Sequence, residues 1–413
     1  MQQNDPLLPR DERNNKAKDE KNAAMRDDST SSSAAHDSGV YALSDSSLDT
    51  SMESSTLAAA AIDIGGKRAT FTAAEIRAVV ARYDIGRVKS SRGYAVGSRR
   101  AAKVKLIAKS GVYLLKRLDP GNAAERVLAS HLLHELAARA GIPVAQLARV
   151  RGASRDAATL LELDGNLYEM QEWIEAERCA RNEAQARAAG IALATMHREF
   201  QKFDVVVGLP QGGFSDCTRV RLKLSRALQR LNESIDPAHQ SALRSVGASL
   251  DAHLMRAADK LEAKGIALQR EMPCHGDFHP GNTMWVGDTL RAVIDFDRAR
   301  TEFAAAEISN AMLQFSTHPR AGSDPLAWTV GLEAERLRGF AEGYRAVNAI
   351  DLSTVAPFAP WLMVCAVVSE AAFPIATEGS FAGIPGLPVL QAAASLVEWI
   401  GARTRAISES MLT

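Results

Sequence analysis

The sequence predicts an α+β protein of two unequal parts: a small antiparallel β-rich part with one helix, then a larger α-helical part. Three observations predict it. Residues 86–119 alternate apolar and polar side chains between glycines, the period of half-exposed strands. From about 182 onward most segments carry the helical period instead. Strands and helices are segregated along the chain, which excludes the strand–helix alternation of a doubly wound sheet.

The elements follow in order. Residues 1–70 are charged and then serine-rich (DERNNKAKDEK, SDSSLDTSMESS). They bury too little apolar surface to offset ordering entropy, so a disordered tail is expected. The β-rich part is expected over 71–170 and the helical part over 171–413. FTAAEIRAVVARYD (71–84) reads as a helix, with Thr72 three residues before Glu75 as in a capping box. Strands are expected over 87–95, 99–109 and 111–118, then a helix over 123–141 ending at Gly141. Two more strands are expected near 146–151 and 157–163, then NLYEMQEWIEA (166–176), with a connector between the two parts near 168–180. Helices are then expected over 182–200, around SRALQRLNESI, and over 237–265, 327–347, 354–373 and 389–410. TMWVGDTLRAVIDFD (283–297) is the strand pattern of this half, a hairpin around Gly287-Asp288.

Lys+Arg and Asp+Glu both number 49, so the formal net charge is +0 and no basic face for nucleic acid is expected. The four cysteines form no closely spaced pair, which fits a reducing compartment better than a disulfide framework. The N-terminus has no apolar signal core. PFAPWLMVCAVVSEAAFPIA, interrupted by Pro360 and Glu370, reads as a buried helix rather than a bilayer span. A cytoplasmic protein with neither nucleic-acid nor membrane partner is expected.

The chemistry is concentrated in CHGDFHPGN (274–282), where Asp277 and Asn282 stand five apart. That is the D-x-x-x-x-N spacing of phosphoryl-transfer loops. One carboxylate accepts the proton of the attacking hydroxyl. An amide oxygen beyond the turn helps to hold magnesium, and a second carboxylate bridges the metal to the phosphates. Asp295, at the end of the apolar run AVID, suits that last role. Lys116 lies in VYLLKRL among apolar residues, an expensive position unless an anion such as a nucleotide phosphate meets it.

HGDFHPGN followed by VIDFD, with the YLLK strand and the GIALATMH helix, resembles the aminoglycoside phosphotransferase-like kinases, among them type II homoserine kinases and choline kinases. The resemblance covers roughly 85–375. It implies a bilobal protein-kinase-like fold with ATP and Mg2+ between the lobes. It implies transfer of the γ-phosphoryl group to a small-molecule hydroxyl, that of a homoserine-, aminoglycoside- or choline-like alcohol. Asp277 would be the catalytic base, Asn282 and Asp295 the magnesium ligands, and Lys116 the phosphate-binding lysine. The backbone of Glu169, Gln171 and Trp173 would hydrogen-bond the purine. Glu125, His131 or Glu135 would be the helix-borne partner of Lys116. Gly93, Gly97 and Ser98 are all that the phosphate-covering loop offers, and Glu307 stands where an aspartate is common in the family.

Other readings compete. His275, Asp277 and His279 alternate like metal ligands, but His318 is the only histidine downstream to complete a zinc hydrolase site. A protein Ser/Thr kinase would carry Arg where Gly276 stands, and D-F-G where Asp295-Phe296-Asp297 stands. A catalytically inactive nucleotide-binding scaffold would be expected to have lost one of Lys116, Asp277, Asn282 and Asp295. His197 reads as a packed helix residue. For the acceptor, Glu172, Glu175, Glu177, Glu183, Glu302 and Glu307 could line an acidic cleft, whereas Arg298 or Arg300 could hold a carboxylate.

Overall fold

The computed structural model describes residues 68–95, 100–154, 158–320 and 322–413. The expected tail falls almost wholly outside these residues, as do Gly97 and Ser98.

Helix α1 (Ala73–Val80) opens the described chain, and the Thr72–Glu75 capping box is formed in both directions. Strands β1 (Val88–Gly93), β2 (Ala102–Ala108) and β3 (Val112–Arg117) follow as an antiparallel meander. After α2 (Ala124–Arg139) come β4 (Leu161–Leu163) and β5 (Asn166–Glu172). The sheet order is β1-β2-β3-β5-β4.

Alternation gives this sheet two different faces. Val104, Leu106, Leu115 and Met170 pack with Val79 and Tyr83 of the α1 region. Arg117 also points that way, to Glu75 at 2.6 Å. Lys103, Lys105 and Lys116 alternate with this apolar set and belong to the opposite face. There α2 crosses: Val127 packs under Leu118, while Leu133, Leu136 and Ala137 join the large helical core.

Two expectations need correction here. Residues 146–151 form isolated bridges, Leu147 with Gln171 and Val150 with Tyr83, rather than a strand. The first part of the stretch read as a connector belongs to β5, which continues the sheet through Glu172. Its residues alternate faces, so a strand was legible there, but the carboxylate and amide at 169 and 171 disguised it.

The helical part comprises α3 (Glu183–Phe200), α4 (Cys217–Asn232), α5 (Gln240–Ala263), α6 (Ala304–Ser316), α7 (Ala334–Val347), α8 (Leu352–Val355), α9 (Ala359–Glu378), α10 (Gly386–Ala402) and α11 (Thr404–Ser410). Every residue of α6 is buried. A helix enclosed on all sides has no polar stripe, which explains why periodicity did not mark it. α9 is long and apolar enough by composition to cross a membrane, yet most of it is buried against α4, α5, α6 and α10. α3 and α7 approach so closely that a Cβ at Gly190 would meet the Phe340 carbonyl oxygen at 2.2 Å.

Two small antiparallel ladders organise the centre. β6 (Glu271–Cys274) pairs with β9 (Arg300–Phe303), and β7 (Thr283–Val286) forms the expected hairpin with β8 (Thr289–Val293). The β6–β9 ladder was not read from sequence, since Pro273 and a charged partner strand mask it. Cys274 opposite Arg300 brings the loop after β6 beside the segment before β9. That pairing joins the two sequence motifs in space.

Candidate active site

The loop 275–282 is held by its own backbone and by α6. Glu307 accepts from the amides of His275 (3.1 Å) and Gly276, and from the His197 ring at 2.8 Å. His197 also meets the Tyr344 hydroxyl at 2.7 Å. Burial disfavours charge on Glu307, but the His197 ring and the Gly276 amide outweigh it and hold the carboxyl at about 2. Gly276 has φ +81°, and a Cβ there would sit 2.0 Å from the Arg298 carbonyl oxygen. Glycine therefore stands where protein kinases place arginine, because here the two chemical motifs touch backbone to backbone.

Both histidines of the loop are engaged locally. His275 Nδ1 accepts the Asp277 amide at 3.3 Å while Nε2 reaches the Ile294 carbonyl at 3.2 Å. His279 Nδ1 accepts from the Gly281 amide at 2.9 Å. His275 thus has no lone pair left for zinc, and burial keeps its ring neutral by lowering its pKa.

Asn282 donates to the Asp277 carbonyl at 2.9 Å and to its carboxylate at 3.4 Å. Among the described residues neither the Asn282 amide oxygen nor Asp277 Oδ1 takes a hydrogen bond. Asp295 sits at φ +65°, a left-handed conformation that is uncommon outside glycine. Burial opposes its charge, yet Lys116 and Lys103 together hold its carboxyl below the ordinary range. Phe296 then tucks inward, its ring centroid 4.4 Å from His275 and 4.9 Å from His134 of α2.

Lys116 reaches this group from β3. Its Nζ lies 2.9 Å from Glu169 Oε1 and 3.9 Å from Asp297 Oδ2. His131 of α2 holds the other Glu169 oxygen at 2.9 Å and is itself anchored by Thr159 at 2.9 Å. Burial disfavours charge on Lys116 and Glu169 alike, but their neighbours prevail. The lysine is held well above its usual range and the glutamate well below.

This corrects one expectation. The carboxylate partner of Lys116 is Glu169, directly opposite it in the β3–β5 ladder, and not a helix acid. Glu135 pairs with Arg139 and Arg149 instead, and Glu125 lies in the first turn of α2. Of the three candidates only His131 touches the pair, and it does so through Glu169. The Glu169-to-Trp173 backbone, expected to face the purine, is partly used within the sheet. Glu169 and Gln171 are inside the ladder, and the Trp173 amide donates to Val112 at 2.9 Å. The chain leaves the sheet only after Trp173, whose ring carries Lys105 at 3.9 Å and Tyr94 edge-on at 5.2 Å.

Lys103 was missed. It sits opposite Lys116 in the β2–β3 ladder. Burial first, then Lys116, holds its ammonium below the ordinary lysine range. Among the described residues it forms no ion pair. The strand alternation that put Lys116 on the cleft face also put Lys103 there, and that signal was available.

A two-part architecture, a five-stranded antiparallel sheet over a helical body with acidic motifs meeting under a strand lysine, defines the protein-kinase-like phosphotransferase class. The family model described as "Phosphotransferase enzyme family" matches residues 95–357, more than half of the chain, and the chain belongs to that family. A homoserine kinase of Allorhizobium ampelinum is 26% identical over 242 residues, covering 57% of this chain and 67% of the relative. An aminoglycoside phosphotransferase from Alicyclobacillus acidocaldarius shares the fold with a TM-score of 0.56 at 16% identity, over 81% of this chain and 96% of its own. A spectinomycin phosphotransferase solved with ADP and spectinomycin does so at 0.55 and 16%, over 81% and 98%.

Proposed function

We propose that this phosphotransferase transfers the γ-phosphoryl group of magnesium-bound ATP to the hydroxyl of a small molecule, a homoserine-, aminoglycoside- or choline-like alcohol. The observation that carries this reading is the meeting of Asp277, Asn282, Asp295 and Lys116 in one cleft.

The donor set fits magnesium. Asn282 commits its NH2 to Asp277 and leaves a hard amide oxygen, and Asp295 is held ionised by two lysines. Asn282 and Asp295 would hold the ion, with Asp297 nearby as a further carboxylate. When bound, the metal supplies charge neutralisation to the phosphates.

The remaining work falls to the chain's own groups. Lys116, steadied by Glu169, and Lys103, which has no ion pair among the described residues, would bind phosphate oxygens. Asp277 Oδ1 would take the acceptor's hydroxyl proton as the hydroxyl oxygen bonds to the γ-phosphorus. The bond to the bridging oxygen breaks, and the nucleoside diphosphate leaves with the electron pair. A loose phosphoryl transition state asks mainly for such positioning and charge. The chain where it leaves the sheet, at Trp173 and the residues just after it, would offer backbone groups to the purine.

The test is ADP release with Mg-ATP and a panel of small alcohols, comparing wild type with Asp277→Asn. Loss of roughly 10²–10⁴ in turnover with nucleotide binding kept is expected. Full turnover in the variant would contradict the assignment. Nucleotide binding with no turnover on any alcohol would favour the scaffold.

A further inference from the structure

Beside Asp277 the fold gathers cations that nucleotide binding does not use. Arg298 Nε lies 3.6 Å from Asp277 Oδ2, and its guanidinium carbon is 5.7 Å from the ring centroid of Phe373 on α9. Lys223 of α4 approaches the same ring, Nζ at 5.8 Å, and donates to Ser369 at 3.2 Å. Phe373 is 44% exposed, so this aromatic wall is open to solvent.

The charges here are unbalanced. Among the described residues Lys223 forms no ion pair, and Arg298 meets only the catalytic carboxylate. Glu302 is already taken by Arg300 at 2.8 Å and by the Ser215 hydroxyl at 2.8 Å. Arg300, the other arginine that the sequence offered for an anion, also donates to the Gly276 carbonyl and so braces the loop. Burial and the neighbouring Arg300, Arg298 and Arg219 hold the Lys223 ammonium below its ordinary range. An anion entering here would relieve that repulsion, and a polycation would add to it.

We propose that the phosphoryl acceptor is an alcohol carrying an anionic group, a carboxylate or a phosphate, bound by Lys223 and Arg298 along the Phe373 ring. Its hydroxyl then lies at Asp277, one arginine away. The inference rests on the phosphotransferase reading above and narrows its acceptor class. Lys223 and Phe373 come from helices far apart in sequence, α4 and α9, and so form a specificity wall that no single motif encodes.

The test uses the full chain with Mg-ATP and acceptors in matched pairs: L-homoserine against 3-aminopropan-1-ol, and glycerol 3-phosphate against glycerol. Kanamycin serves as the polycation. An anionic member should exceed its partner about 100-fold in kcat/KM, and the pair that responds identifies carboxylate or phosphate. Lys223→Gln should raise KM for that acceptor about 10- to 100-fold with kcat and Mg-ATP affinity little changed, and Lys223→Arg should restore it. If no member is phosphorylated, the thermal shift of AMP-PNP-loaded protein by the anionic members, lost in Lys223→Gln, still supports the inference. Preference for the neutral or cationic member, an unchanged KM in Lys223→Gln, or no anion-dependent shift would overturn it and leave the phosphotransferase reading standing. Failure to bind Mg-ATP at all would bring down both.

Discussion

Lys116 and Glu169 face each other across neighbouring strands, Nζ to Oε1 at 2.9 Å, with His131 closing on the second carboxylate oxygen at 2.9 Å. Both members of the pair are buried. The orientation of Lys116, the lysine proposed to bind phosphate, therefore comes from the sheet itself, and the helix contributes only a histidine that acts through the glutamate.

Removing one member of a buried pair leaves the other uncompensated, at about 3–5 kcal/mol. Glu169→Gln should lose stability of that order in denaturant unfolding and raise the KM for ATP. His131→Ala should do the same more weakly, by about 1–3 kcal/mol, because Glu169 keeps its lysine. A Glu169→Gln variant as stable and active as wild type would rule out this role for the pair.

Lys103 makes the opposite prediction. It is partly buried with a like charge opposite it and no ion pair among the described residues, so its removal relieves desolvation and the repulsion with Lys116. Lys103→Ala should leave the melting temperature unchanged or higher, while the KM for ATP rises roughly tenfold, about 1.4 kcal/mol. An unchanged KM would show that Lys103 does not reach the phosphates.

Gly276 combines φ +81° with a backbone oxygen 2.0 Å from where a Cβ would stand. Gly276→Ala must push the loop away from Arg298. Turnover should fall at least about a hundredfold, since small misplacements of reacting groups are costly. Calorimetry alongside kinetics would check that the variant remains folded; wild-type turnover would contradict the close contact.

Glu307 carries a pH signature. Its carboxyl is held at about 2, below the ordinary 4.5, so its contribution is complete above pH 4.5 and fades as pH falls toward 2. Glu307→Gln should cost on the order of 3 kcal/mol at pH 7. The stability gap to wild type should narrow as the pH drops below 4.5. A gap that does not change with pH would mean that the ionised carboxylate is not what holds the loop.

Contiguous spacing made Asp277, Asn282 and Asp295, the residues of the proposed metal and acceptor site, legible. Asp277 and Asn282 share one loop, and Asp295 follows the apolar run AVI two residues beyond β8, so their types and intervals could be read from the sequence itself. Glu169, Lys223 and Phe373 come together with these residues only through strand register or helix packing, which no local spacing encodes, whereas the alternation of β2 did carry the signal for Lys103. The carboxylate partner of Lys116 was sought on a helix by analogy, while the β3–β5 register supplied it from a strand. α6 escaped notice for a different reason: enclosed on every side, it has no polar face to set a period.

The most direct test of the central claim is the unfolding stability of wild type and Asp295→Ala with ATP, in magnesium and in chelator. Wild type should gain about 2.7 kcal/mol at a hundredfold excess of ligand over Kd, with magnesium only, and Asp295→Ala should gain none of it. Equal stabilisation of both proteins, or none for wild type with any nucleotide, would contradict a metal–nucleotide site built on Asp295.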